Sequence, residues 1–181
     1  MNIRLIAGAY GGRKLRAPTT GATHPMGERI RGSLFNILGD RLQSAEVLDA
    51  FAGTGALGFE ALSRGAKTAV FLERNKAAAE VLRRNKTTLG LNNEKAIVMQ
   101  TAVGNWEQAN SEHLFDIIFC DPPYDDLQFS TVKKLFSHLK VNGLMVLSHP
   151  GRSETPTDYG VVVVDNRRFG DATLTFYHME K

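Results

Sequence analysis

The chain has a single cysteine, Cys120, so it can form no internal disulfide and no cysteine-based metal cluster. This usage agrees with a reducing compartment, and the expected location is the cytoplasm. Apolar runs such as "GLMVL" and "VVVV" fall far short of the roughly 20 residues that a membrane helix needs, so no membrane association is expected. The opening "MNIRLIAGAYGG" has no signal-peptide apolar core. The five histidines show no metal-ligand spacing, and no metal site is expected. Strong net charge is missing too: the total is only +3. Its distribution is uneven, because residues 1–31 hold Arg4, Arg13, Lys14, Arg16, Arg29 and Arg31 against Glu28 alone, leaving this segment +5 and the remainder −2. Such a segment reads either as a solvated arm or as a phosphate-binding patch.

What is present is alternation. With 181 residues, 43% hydrophobic and 23% charged, the chain fits one domain able to bury a substantial core. "IRLIAG" and "RKLRA", joined through Gly11-Gly12, read as a hairpin, and "GERIRGSLFNILGD" has helical spacing at Ile30, Leu34, Phe35 and Leu38. Strand-like "EVLDAF", "TAVFLE", "KAIVMQ", "FDIIFC" and "GLMVLSH" then alternate with helical segments, including one from about Lys76 to Leu89 that Asn75 caps and Gly90 stops. Apolar strands alternating with helices imply an α/β fold with a mostly parallel sheet covered on both faces. The closing "GVVVVDNRRFGDATLTFYHME" reads as two strands turning at Gly170-Asp171, so the sheet is expected to end in an antiparallel hairpin.

Sites in such sheets lie at the carboxyl ends of the strands. There "LDAFAGTGALGFEAL" places Gly53, Gly55 and Gly58 as G-x-G-x-x-G between a strand and a helix, and Glu73 closes the next strand. The glycine turn lets a nucleoside ligand approach the backbone, with a carboxylate placed for its ribose hydroxyls. Asp49, just before the turn, would oppose a pyrophosphate but suits an ammonium group, which favours S-adenosylmethionine over a nicotinamide dinucleotide. Alternatively, Asp49 only caps the turn through its amides.

"CDPPYDD" follows the fourth strand of the sheet. Asp121 and the Pro122 carbonyl can accept hydrogen bonds from an exocyclic amine, the prolines fix the turn, and Tyr124 can stack on a planar base. The competing reading is a buried structural turn. Strand alternation turns Cys120 away from Asp121, which makes it a packing residue. Trp106 either covers an adenine or fills a helix–sheet gap.

"LDAFAGTGALGFEALSRGA", Glu73, "FDIIFCDPPY", "RRFGDATLTFYHME", "IAGAYGGRKLRAP" and "RIRGSLFNIL" together resemble the RsmD family of bacterial 16S ribosomal RNA guanine-N2 methyltransferases over nearly the whole chain. The resemblance implies a class I, Rossmann-like methyltransferase sheet of seven strands with an antiparallel last strand. Residues 45–181 would form the core, and residues 1–40 a basic hairpin-and-helix extension of the same domain. It implies S-adenosylmethionine contacts at Asp49, Phe51, Gly53, Thr54, Gly55, Glu73 and Arg74, with Asp121, Pro122, Pro123 and Tyr124 around the target amine. Ala102 stands where the family has an acidic or amide residue near the adenine, so that contact would come from backbone or neighbours. The chain also reads His24-Pro25-Met26 and Arg31-Gly32 where relatives have Arg-Pro-Thr and Arg-Glu. His24 could replace an arginine-phosphate contact only when protonated, with an ordinary pKa of about 6.5.

The expected activity is therefore methylation of an exocyclic amine, guanine N2 in small-subunit ribosomal RNA, by a monomer that binds ribosomal RNA or the assembling small subunit. Arg4, Arg13, Lys14, Arg16, His24, Arg29 and Arg31 would hold phosphates. The alternatives are methylation of adenine N6 in DNA, a nicotinamide-dependent oxidoreductase, and a non-catalytic RNA-binding domain.

Overall fold

The structure is a computed structural model that describes residues 2–18, 25–151 and 153–181. Strands β1 (Asn2–Arg4) and β2 (Lys14–Arg16) form a small antiparallel hairpin that pairs Ile3 with Leu15. Both of those side chains are buried, whereas Arg4, Lys14 and Arg16 point outward. Helix α1 (Glu28–Leu38) follows, burying Leu34, Phe35 and Leu38 at the spacing of one helical face.

The main sheet contains β3 (Glu46–Asp49), β4 (Thr68–Leu72), β5 (Ala96–Met99), β6 (Phe115–Cys120), β7 (Leu139–Pro150), β8 (Val161–Phe169) and β9 (Ala172–Met179), in the order β5-β4-β3-β6-β7-β9-β8. The pairs from β5 through β7 are parallel, and β9 runs antiparallel to both β7 and β8. The crossing helices are α2 (Ala56–Ser63), α3 (Lys76–Thr88), α4 (Val103–Ala109) and α5 (Phe129–Lys134). Successive strand residues enter opposite layers. Val47, Ile117 and Phe119 pack with α1, α2 and the hairpin, while Leu48, Ile118 and Cys120 pack with Val103, Trp106 and Val132. Thus Cys120 is a core residue, and Trp106 fills the gap between α4 and the sheet beside Phe115 and His138.

β7 begins four residues before the expected "GLMVLSH" run. Its extra residues pair across an irregularity between Phe115 and Ile117, with Asn142 at φ +67°. A local distortion of this kind leaves no signal in apolar patterning.

The hairpin is fixed to the core. The buried Glu60 of α2 accepts the Ile6 and Ala7 N–H groups at 2.8 and 3.1 Å, and Ser63 accepts that of Tyr10 at 2.9 Å. Asn85 of α3 bonds both the N–H and the carbonyl of Arg16. β3 is flanked by β4 on one side and β6 on the other, so the winding direction reverses between β3 and β6. That reversal opens a crevice beyond their carboxyl ends.

Candidate active site

The crevice is a cavity of about 780 Å³. The loop after β3 supplies Asp49, Phe51, Gly53 and Thr54 to its wall, the end of β4 supplies Glu73 and Arg74, and the start of α4 supplies Thr101, Ala102 and Val103. Asp121 through Tyr124 form the wall beyond β6.

The glycines have separate jobs. Gly53, at φ +53°, lines the cavity. Gly55 does not: at φ +82° it turns toward Leu82 and Phe59, and an added Cβ would stand 2.4 Å from Leu82 Cδ1. It serves tight packing rather than ligand approach, which corrects its assignment as a contact. Gly58 likewise sits against Phe71, where a Cβ would come within 2.2 Å of the ring. Gly58 lets α2 lie close on the sheet, and Gly55 leaves room for the Leu82 side chain of α3.

Three carboxylates share the cavity. Asp49 is 1% exposed; its Oδ2 accepts the Gly58 N–H at 2.9 Å, while the buried Oδ1 has no partner. Burial pushes its pKa up to about 7, with the negative charges of Asp121 and Glu73 adding to the effect and the Gly58 bond opposing it. Asp121 is pushed up to about 6 by burial, against a hydrogen bond from Ser148. Glu73 is half-buried and braces the loops, accepting the Gly53 N–H at 2.9 Å and the Asn75 N–H at 2.8 Å. Asp49 does cap the turn, as the alternative reading held, but only through one oxygen. The free Oδ1 is a buried acceptor with nothing to accept, and a cationic group would satisfy it.

The Asp-Pro-Pro-Tyr turn presents an open ring. Tyr124 is 43% exposed, and its hydroxyl lies 2.9 Å from Ser148 Oγ, which fixes the ring orientation. Pro122 is buried, while the exposed Pro123 accepts the Asp126 N–H through its carbonyl at 2.9 Å. Arg74 reaches Asp126 at 3.5 Å across the mouth. Ala102 accepts the Trp106 N–H as the N-cap of α4 and leaves a small, unbranched wall.

The basic set divides. Arg13, Lys14, Arg16 and Arg29 are exposed, and Arg4 is exposed but paired with Glu28 at 2.8 Å. Arg31 leaves the set: it is 1% exposed, and its guanidinium donates to the Met26 and Arg4 carbonyls at 3.0 and 2.6 Å. It ties α1 to the hairpin and cannot reach a phosphate. His24 lies outside the described residues.

Sequence reasoning missed Ser148, Ile30 and Pro18. Ser148 lies near the carboxyl end of β7, next to β6, where the strand-end rule would have flagged it. Ile30 and Pro18 reach the cavity from the N-terminal segment, which local patterning cannot place. No group of residues suited to holding a metal occurs among the described residues.

Comparison with known proteins gives this cavity a context. The family described as Conserved hypothetical protein 95 matches residues 3–178. A Haemophilus influenzae protein named Ribosomal RNA small subunit methyltransferase D is 36% identical over 165 residues, covering 91% of this chain and 84% of its own length. An Escherichia coli protein of the same name is 40% identical over 122 residues, covering 67% and 60%. The solved structure of yhhF from Escherichia coli superposes with a TM-score of 0.87 at 29% identity, covering 100% of this chain and 99% of that one. The chain has the class I methyltransferase fold and belongs to the RsmD methyltransferase family.

Proposed function

We propose that the chain transfers a methyl group from S-adenosylmethionine to the exocyclic N2 of a guanine in small-subunit ribosomal RNA. The observation that carries this reading is Asp49, a lining residue whose buried Oδ1 has no partner, in a cavity that also holds Glu73 and Asp121. Three carboxylates suit a cationic ligand, and a pyrophosphate would meet repulsion from all of them. The names of the Haemophilus and Escherichia relatives support the choice of small-subunit RNA.

S-adenosylmethionine supplies an electrophilic methyl group when bound. Asp49 would hold its ammonium. Glu73 has lone pairs beyond those engaged by Gly53 and Asn75, and these would accept the ribose hydroxyls. Gly53, Phe51 and Thr54 would border the ribose and methionine parts, Arg74 would close the mouth, and Ala102 would leave space for the adenine ring. A guanine turned out of its stack would lie on the Tyr124 ring, with its amine held by Asp121 and the Pro122 carbonyl. Pro123 would keep that turn rigid. At neutral pH a carboxyl with a pKa of about 6 is mostly ionised yet more basic than an ordinary aspartate, so Asp121 can also take the proton the amine releases. Arg13, Lys14, Arg16 and Arg29 would hold flanking phosphates. The rate gain would come mainly from positioning.

The test is methyl incorporation into small-subunit RNA, followed by digestion to nucleosides and mass analysis. N2-methylguanosine is expected. Methylated adenine in DNA would move the reaction to a different amine, and cofactor binding without incorporation into either polymer would leave a non-catalytic binder.

A further inference from the structure

Resting on that reading, we infer that Asn85 is a positioning residue that couples the cofactor loop to the basic hairpin, so that cofactor and RNA each tighten the binding of the other. Asn85 is 1% exposed on the inward face of α3. Its Oδ1 accepts the Arg16 N–H at 2.8 Å, and its Nδ2 donates to the Arg16 carbonyl at 3.0 Å and the Thr54 carbonyl at 3.1 Å. The amide cannot be turned over, since that would set NH2 against an N–H and oxygen against two carbonyls. One side chain therefore grips both segments at once.

Both grips fall on functional backbone. Thr54 lies between Gly53 and Gly55, the two positive-φ glycines of the cofactor loop, so its carbonyl direction follows the loop's conformation. Arg16 ends β2, where exposed Lys14 and Arg16 flank buried Leu15, so gripping its backbone sets the direction of two cations. A second tie runs parallel to the first. α2 starts directly after the loop, and its Glu60 and Ser63 hold residues 6, 7 and 10 of the segment that joins β1 to β2. Hairpin and loop thus share two supports, and neither can shift alone.

The chemistry of the position supports the assignment. The other inward residues of α3, Ala78, Ala79 and Leu82, are apolar, and packing alone would be met by another such side chain. An asparagine there is desolvated, and only its bonds to the two segments compensate. Cofactor that orders the loop fixes the Thr54 carbonyl, and through Asn85 the Arg16 backbone, before RNA arrives. The RNA then has less ordering to impose. The coupling is reciprocal by linkage.

The experiment measures binding of a fluorescein-labelled, guanine-containing single-stranded RNA with and without saturating S-adenosylhomocysteine, which binds without turnover. In the wild-type protein the RNA affinity should rise by about fivefold or more, and S-adenosylhomocysteine should gain the same factor from RNA. In Asn85→Ala that ratio should fall by about half or more, leaving only what the Glu60 and Ser63 tie transmits. An Asn85 that merely supports the fold would lower the melting temperature and both affinities while leaving the ratio unchanged, and that result overturns the inference. So does a ratio of one in the wild type when both ligands bind. If the wild type binds S-adenosylhomocysteine but no RNA, the RNA substrate reading fails first and the coupling falls with it. Should Asn85→Ala fail to fold, amide hydrogen exchange in the wild type decides: S-adenosylhomocysteine should increase protection of the Arg16 N–H, and unchanged protection refutes the coupling.

Discussion

Replacing Asp49 by asparagine should make the protein more stable at pH 8 while costing it the cofactor. The Asp49 carboxyl titrates at about 7 in the folded chain against 3.8 in an unfolded one. Between those values the folded state binds more protons, so stability falls as pH rises from about 4 to about 7 and is level above that. A difference of about 3 in pKa corresponds to about 4 kcal/mol lost at pH 8, at roughly 1.36 kcal/mol for each pH unit. The asparagine of Asp49→Asn keeps an oxygen for the Gly58 N–H but puts an unpaired NH2 where Oδ1 had no partner, at a cost of about 1–3 kcal/mol. The net gain for this variant at pH 8 is therefore about 1–3 kcal/mol. At pH 5 the wild type has lost only about 1.6 kcal/mol, so the variant's advantage shrinks by about 2–3 kcal/mol. Thermal melting of both proteins from pH 5 to 8 reads this directly, as a gap in melting temperature that widens by roughly 5–10 °C toward the alkaline end. Titration with S-adenosylmethionine should show weakened binding in the same variant. Parallel melting curves across the range would refute the argument, because the ionised carboxylate would then carry no penalty for the cofactor's charge to relieve.

Glu73→Ala should weaken S-adenosylmethionine binding by about 1.5–3 kcal/mol in calorimetry, through loss of an ionised acceptor; unchanged affinity removes Glu73 from the site. Asp121→Asn should retain cofactor binding and lose most methyl transfer, and wild-type turnover would end its role in holding the amine. Replacing Arg13, Lys14 and Arg16 together should weaken RNA binding several-fold at low salt and flatten the logarithmic salt slope by about 2, at roughly 0.7–0.9 per phosphate contact. An unchanged slope would leave the hairpin a solvated surface. Gly58→Ala should lower stability by about 1–3 kcal/mol, because its methyl group would meet the Phe71 ring; an unaltered melting temperature would mean that the ring moves aside freely.

The alternation of strands and helices, the antiparallel ending and the place of the cavity were legible because each follows from a local rule. Apolar runs of strand length alternate with helical spacing, and the glycine turn and the proline turn both follow strands that pair side by side. The hairpin was legible from Gly11-Gly12 and from the alternation of Leu15 with Lys14 and Arg16. Tertiary partners were not. Gly55 and Gly58 fit a ligand-loop pattern, yet what each glycine makes room for is a side chain much further along the chain, Leu82 or Phe71.

Arg31 shows the same limit from the opposite direction. Six cations within the first 31 residues look alike in a charge count, but a phosphate can be reached only by a guanidinium that is outside. The Arg31 side chain runs inward from α1 to the Met26 and Arg4 carbonyls, and burial lowers its pKa because a desolvated cation is disfavoured. Its two terminal nitrogens donate to backbone carbonyls while the buried Nε has no partner, and the two bonds tie α1 to the hairpin. Arg4 is then partly neutralised by Glu28. The exposed cations of this segment that make no ion pair among the described residues are therefore Arg13, Lys14, Arg16 and Arg29. Three of those four lie on the hairpin that Asn85 ties to the Thr54 carbonyl, so under the proposed function RNA should be gripped close to Thr54 rather than along α1.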